Sequence, residues 1–383
     1  MRKQTLAIIT TILLLATAGI LHINWSDDFN SNFGAIGAPR FGVGNFYINF
    51  DGNIIYQSVS DELGFYILER RSVRRYDVYG QRLWERTMSH ANPVFVQGGY
   101  YIGVGSHLAR AFYVFGLDGL VYTIDFDNDI LSYHISCNGY AAVLSVSEYG
   151  SYYIEVFNAN GVRVMRRVLE ERNLFPISMA ISPNASTLIV SYLDMSGHGM
   201  LSYICAYDIY DGGLFASFRQ IEDEVISRVL FIDADYFMFS SVGQLGVYRL
   251  NAESRISHVW SKEFDTQVAF VEVISGIGIA VAYGQSILGT ESALEDSFVI
   301  YSRGGDKLAE YFMSGGIRYL STGSGAAIIG GGALRRDFVA LNYNNEVVWR
   351  YTATSDVLDF VILDTPKRAL ITTPTRMQIM EVN

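Results

Sequence analysis

Residues able to do chemistry are thinly spread along this chain, and few stand at spacings that would let them act together. The six histidines are His22, His90, His107, His134, His198 and His258, and no two share the short spacing of metal ligands. No G-x-S-x-G, H-E-x-x-H or G-x-x-x-x-G-K-[ST] motif occurs. Asp125, Asp127 and Asp129 have the alternate spacing of a calcium loop, but the central glycine and distal glutamate are missing. In a strand that alternation puts three carboxylates on one face, where solvation accounts for them. Gly323-Ser324-Gly325 and Gly330-Gly331-Gly332 look superficially like phosphate loops. Such a loop must open a helix, and here the context is strand-turn-strand, so tight packing of inner strands is expected. Arg70, Arg71, Arg74 and Arg75 are offset by Glu69 and Asp77 and are expected on a solvated edge. Cys137 and Cys205 fall in predicted strands and read as free thiols. No catalytic residue, metal ligand or cofactor site is therefore expected.

The elements that must carry these residues are short strands. Of 383 residues, 50% are hydrophobic, 14% aromatic and 17% charged, with 36 glycines against six prolines. That balance excludes disorder and proline-rich linkers. The net charge of −11 argues against a nucleic-acid partner, which needs clustered cations. Beyond residue 40 a hairpin recurs, as in SVRRYDVYGQRLWERT, AFYVFGLDGLVYTI, YYIEVFNANGVRVMRR and DFVALNYNNEVVWRY. Its turns fall at Gly80, Gly119, Gly161, Gly213, about Ser254, Gly305 and Asn345, roughly every 44 residues. Gly and Asn tolerate the positive φ that such turns need. Two further strands precede each hairpin, which gives the period of a propeller blade.

After Asp356 the chain supplies three more strands and ends. An open edge there would invite aggregation, and Arg40–Phe50 is the strand-like segment left to complete that blade. The reading is all-β: one β-propeller over residues 41–383 with eight four-stranded blades, closed by an N-terminal strand. Seven blades is the alternative, if NIIYQSVS is not an inner strand.

Ahead of the propeller, residues 5–23 contain no charged residue and would span about 28 Å as a helix, close to a bilayer's hydrocarbon thickness. Arg2 and Lys3 precede this run, and Asp27 and Asp28 follow it, so the expected topology is a cytoplasmic tail (1–4), a signal-anchor helix, a stalk (24–40) and an extracytoplasmic propeller. Ala16-Thr17-Ala18 leaves a cleaved signal peptide as the alternative.

Segments such as GYAAVLSVSEYGSYYIEVFNANG and ISPNASTLIVSYLDMSGHGMLSYICAYDIYDG, together with the anchor and the repeats, resemble a family of unknown function. Its members look like membrane-anchored β-propellers of Gram-positive anaerobic bacteria, with quinoprotein- or WD40-like repeats. Gly80 and Trp84 are similar to the G-x-x-x-W of pyrroloquinoline-quinone-type repeats, whereas Trp349 has Asn345 in place of the glycine. Ser182-Pro183-Asn184-Ala185 resembles the S-P-D-G turn of other propellers, with its last two positions changed. The resemblance implies a fold and an address and supplies no site.

With strands lettered a to d from the inside out, the b–c and d–a connections share one face of such a ring. The long b–c loops LDMSGHGMLS and GQSILGTESALED and the d–a connections EERNLF and IEDEV make that face elaborate and acidic. Loops carry function disproportionately, so Asp194, His198, Glu291 and Glu295 are the candidate contacts. The expected function is a monomeric, non-catalytic scaffold, tethered to the lipid bilayer through residues 5–23. It would present a rigid, tyrosine-rich surface to a cell-envelope protein or glycan. The alternative is an extracytoplasmic propeller enzyme, a quinoprotein-like oxidoreductase or a glycan hydrolase or lyase.

Overall fold

The computed structural model describes residues 41–49, 55–61, 63–69, 71–88, 93–171, 173–251, 256–284, 295–332 and 335–382. The expected anchor and stalk, the turn near Ser254 and Glu291 lie outside the described residues. The described chain forms 32 strands and no helix. They make eight antiparallel four-stranded sheets, seven of them from consecutive strands. In the eighth, β1 (Phe41–Asn49) pairs with β32 (Arg376–Val382), followed by β31 (Arg368–Thr372) and β30 (Asp359–Ile362). Phe41 faces Val382 and Asn49 faces Arg376, with a bulge between Val43 and Tyr47. The N-terminal strand thus closes the ring as the sequence predicts, and the propeller has eight blades rather than seven. The first blade's inner strand is β2 (Ile55–Ser60), taken from the NIIYQSVS segment.

Four c–d turns share a local device. A residue that ends strand c, or for Asn158 directly follows it, caps the turn by accepting backbone N–H groups two and four positions on. Asp77 takes those of Tyr79 and Gln81, Asn158 those of Asn160 and Val162, and Asn342 those of Asn344 and Glu346. The Ser302 hydroxyl does the same for Gly304 and Asp306. The residue three positions on then takes positive φ, as at Gly80 (86°) and Asn345 (64°). In the fourth blade the turn is one residue longer, and Gly212, not the expected Gly213, carries the positive φ.

Eight inner strands surround the central channel: β2, β6 (Val94–Gly98), β10 (Asp129–Ile135), β14 (Leu174–Ile181), β18 (Arg228–Phe231), β22 (Gln267–Ile274), β26 (Ile317–Gly323) and β30. A side-chain hydrogen bond crosses each seam between neighbours. Phe95 N donates to Gln57 Oε1 at 2.9 Å, Tyr133 OH to Val94 O at 2.9 Å, and Ile181 N to His134 Nδ1 at 3.4 Å. Val229 N donates to Ser178 Oγ at 3.1 Å, Arg228 Nη1 to Val271 O at 2.5 Å, and Thr322 Oγ1 to Val273 O at 2.9 Å. The last two seams converge on Asp359, which accepts from Tyr319 OH at 2.8 Å and from Ser58 N at 3.0 Å. Between these seams and the rim, apolar side chains pack from blade to blade. Trp349 is fully buried, stands 5.2 Å from the Phe360 ring, and donates its indole N–H to Pro366 O.

Four expectations need local correction or confirmation. Asp125 ends β9 (Gly119–Asp125) and Asp129 opens β10, so the three aspartates straddle a d–a connection instead of sharing a strand face. Asp129 is paired with Arg110 at 2.9 Å. Arg75 is not on a solvated edge: it is 2% exposed, in an ion pair with buried Asp61 at 3.0 Å, and donates to Tyr66 OH. Cys205 is buried in a strand, whereas Cys137 is exposed in the β10–β11 turn, ahead of β11 (Ala141–Val146); both are free. Of the two glycine runs, 330–332 packs tightly, whereas Ser324 and Gly325 form a positive-φ turn and a Cβ on Gly325 would meet nothing nearer than 3.6 Å. A Cβ on Gly331 would lie 1.9 Å from the Gly316 carbonyl oxygen.

Candidate interaction surface and the cleft beside it

The fourth blade consists of β14, β15 (Thr187–Asp194), β16 (Leu201–Asp208) and β17 (Leu214–Glu222). Asp194 is the last residue of β15 and accepts the Ser196 N–H at 2.8 Å, which starts the β15–β16 loop. His198 sits exposed in that loop. The loop leans on the next connection, where Asp223 N donates to Met200 O at 2.9 Å and the Asp223 carboxylate lies against Gly199. Glu224 follows and takes a hydrogen bond from Ser241. On the other side Glu171 stands in the β13–β14 connection, after β13 (Arg163–Leu169). Asp194 and His198 are therefore brought together with Glu171, Asp223 and Glu224. Glu295 is the first residue of β24 (Glu295–Ser302), two blades on, and Glu291 falls outside the described residues. Asp194, His198 and Glu295 share a face by topology but do not form one cluster.

The exposed Tyr79, Tyr100, Tyr210 and Tyr343 all lie in a–b or c–d turns, on the face opposite Asp194 and His198. Tyr149 is an exposed tyrosine on the acidic side, at 95% exposure. Most other tyrosines fill strand faces.

Between the third and fourth blades the walls part into a cleft of about 370 Å³, a volume within the range of small-molecule sites. β13 supplies Arg167 and Leu169, and β15, β16 and β17 supply the opposite wall, with Glu171 and Asp194 at the edge of the loop face. Strand register explains the lining. Tyr192 lies directly across from Tyr203, and alternation puts Tyr203, Cys205 and Tyr207 on one side of β16. The rings of Tyr192 and Tyr203 stack at 5.5 Å, and the Tyr192 and Tyr207 hydroxyls hydrogen-bond at 3.0 Å. The Arg167 guanidinium lies over the Tyr207 ring, 4.7 Å from its centroid. Burial raises Tyr192 and Tyr207 well above the usual phenol range and pushes Tyr203 up to about 12. Burial also raises the Cys205 thiol, against hydrogen bonds with Ser217 and Tyr207. The three phenols and the thiol are therefore uncharged near neutral pH. Sequence reasoning named Asp194 and missed the rest, although the alternating Tyr203-Cys205-Tyr207 pattern was the available signal.

With this architecture in view, comparison with known families gives one match: a family of unknown function, DUF5711, over residues 49–382. The chain belongs to DUF5711. By sequence, no curated protein matches it. Its fold is similar to that of BamB from Moraxella catarrhalis, at 15% identity and a TM-score of 0.53, covering 89% of this chain and 97% of that one. It is also similar to Chaetomium thermophilum Sqt1 bound to the N-terminus of the ribosomal protein L10, at 11% identity and a TM-score of 0.56, covering 87% and 98%. Saccharomyces cerevisiae Sqt1 is similar at 11% identity and a TM-score of 0.56, covering 89% and 99%. At such identities the likeness shows a shared β-propeller, and the cleft of this DUF5711 chain has to be read from its own residues.

Proposed function

We propose that this DUF5711 protein is a non-catalytic scaffold, held outside a membrane by residues 5–23, whose acidic loop face docks a cell-envelope protein. The observation that carries the reading is the acidic arc Glu171, Asp194, Asp223 and Glu224 around the exposed His198 loop. The arc is mounted on a ring whose inner strands are tied seam to seam. Rigid presentation lowers the entropy cost of docking, and clustered carboxylates favour a partner segment bearing Lys or Arg. A propeller of similar fold, Sqt1, is seen bound to the N-terminus of another protein. The reading as a binder rather than an enzyme rests on how the half-buried titratable groups of the inner strands are used. His134, Tyr319 and Asp359 each spend polar atoms on a neighbouring blade.

A photo-crosslinking amino acid at His198 in the full chain, expressed in its own cells, should capture a discrete protein. The same probe at Tyr79, on the opposite face, should not. Equal capture from both positions, or from neither, would refute docking on the acidic face. The topology has its own check, since protease applied to intact wall-permeable cells should degrade the propeller.

A further inference from the structure

We propose that the cleft between the third and fourth blades is a saccharide-binding site. This goes beyond the docking of a protein partner and can fail independently of it. The lining is dense in groups that both donate and accept: the hydroxyls of Tyr192, Tyr203, Tyr207 and Ser217. Two carboxylates, Glu171 and Asp194, add acceptors at the rim, and Arg167 adds donors from the facing wall. The Arg167 Nε is buried without a hydrogen-bond partner.

A polyhydroxylated ring is the ligand that satisfies such a lining, because each of its hydroxyls can donate to a carboxylate and accept from a guanidinium or phenol. A ligand with one charged group would leave most of these polar groups unpaired, at a cost for each. Half-buried Tyr203 and Leu201 offer the flat and apolar surface against which the C–H face of a sugar packs.

The test is calorimetric titration of the full-length protein in a detergent without a sugar headgroup. The probes are cellotetraose, tetra-N-acetylchitotetraose and tetragalacturonate, with leucine as a zwitterionic control. At least one saccharide should bind, and leucine should not. Arg167→Met and Tyr203→Ala should each weaken that binding about tenfold or more, measured well below the melting temperature of each variant. If either variant fails to fold, Glu171→Gln, at an exposed position, should still weaken binding several-fold. His198→Ala should leave saccharide binding intact, because His198 belongs to the docking loop and does not line the cleft, whereas Glu171 and Asp194 are shared by both. Binding of leucine in place of sugars, no binding of any of the three saccharides, or binding indifferent to these cleft substitutions would overturn the proposal.

Discussion

Asp359 Oδ2 accepts both the backbone N–H of Ser58, at 3.0 Å, and its hydroxyl, at 2.6 Å, joining residues 301 positions apart in sequence. Its other oxygen takes Tyr319 OH, so one carboxylate holds three successive inner strands. Burial raises this carboxyl above the usual range, and the Ser58 and Tyr319 bonds oppose that rise.

Removing the clasp should therefore loosen the seam where the ring closes. Asp359→Ala strands the Ser58 N–H and hydroxyl, leaving Tyr319 OH the Phe360 carbonyl, and should cost about 2–3 kcal/mol, while Ser58→Ala should cost about 1 kcal/mol. In urea unfolding the double variant should show a coupling of about 1 kcal/mol or more. Strict additivity would mean that the two residues do not act as a unit.

Deleting residues 1–49 removes β1 and leaves β32 with an open edge. That protein should aggregate or elute as oligomers in size-exclusion chromatography, whereas deletion of residues 1–40 should leave a monomer. If both behave alike, β1 is dispensable for closure.

Gly331 belongs to β27 (Ala326–Gly331), where a neighbouring backbone leaves no room for a side chain. Gly331→Ala should destabilise by about 1–3 kcal/mol through overpacking. Gly304→Ala, where the nearest atom to a new Cβ is a flexible serine hydroxyl at 3.6 Å, should be nearly neutral. Chemical denaturation of the two variants side by side decides the point.

Burial lowers the His134 imidazole to about 4, from the usual value near 6.5. Between those values the unfolded chain takes a proton that the folded one refuses, so this residue's contribution to stability falls as pH drops from 6.5 towards 4. His134→Gln keeps an acceptor for Ile181 N but cannot titrate. The melting temperature of wild type relative to the variant should fall across that window. Asp61 and Asp359 have raised carboxyls and push the slope the other way near their own range, which is why the difference between the two proteins is the quantity to measure. A difference that stays flat from pH 6.5 to 4 would refute the assignment.

The ring was legible because its signals are local. Each turn glycine or asparagine lies within a few residues of the two strands it joins, and the same short pattern recurs about every 44 residues. Closure was legible because the last blade was short of a strand and Arg40–Phe50 was unassigned. The cleft was not, since Arg167 reaches Tyr207 only once two separate blades are set side by side. Burial of Arg75 was hidden for a similar reason. Its carboxylate, Asp61, is fourteen residues away, at the exit of another strand.

The pairing of β1 with β32 also sets a clock on the protein's birth. Residues 41–49 leave the ribosome about 330 residues ahead of their partners at 376–382. At about 5–20 residues per second, the first strand waits roughly 20–70 s for the strand it must meet. Throughout that interval the nascent chain has unmatched strand edges at both ends of an unfinished circle. The ring can lock only after residue 382 has reached the place where the propeller folds.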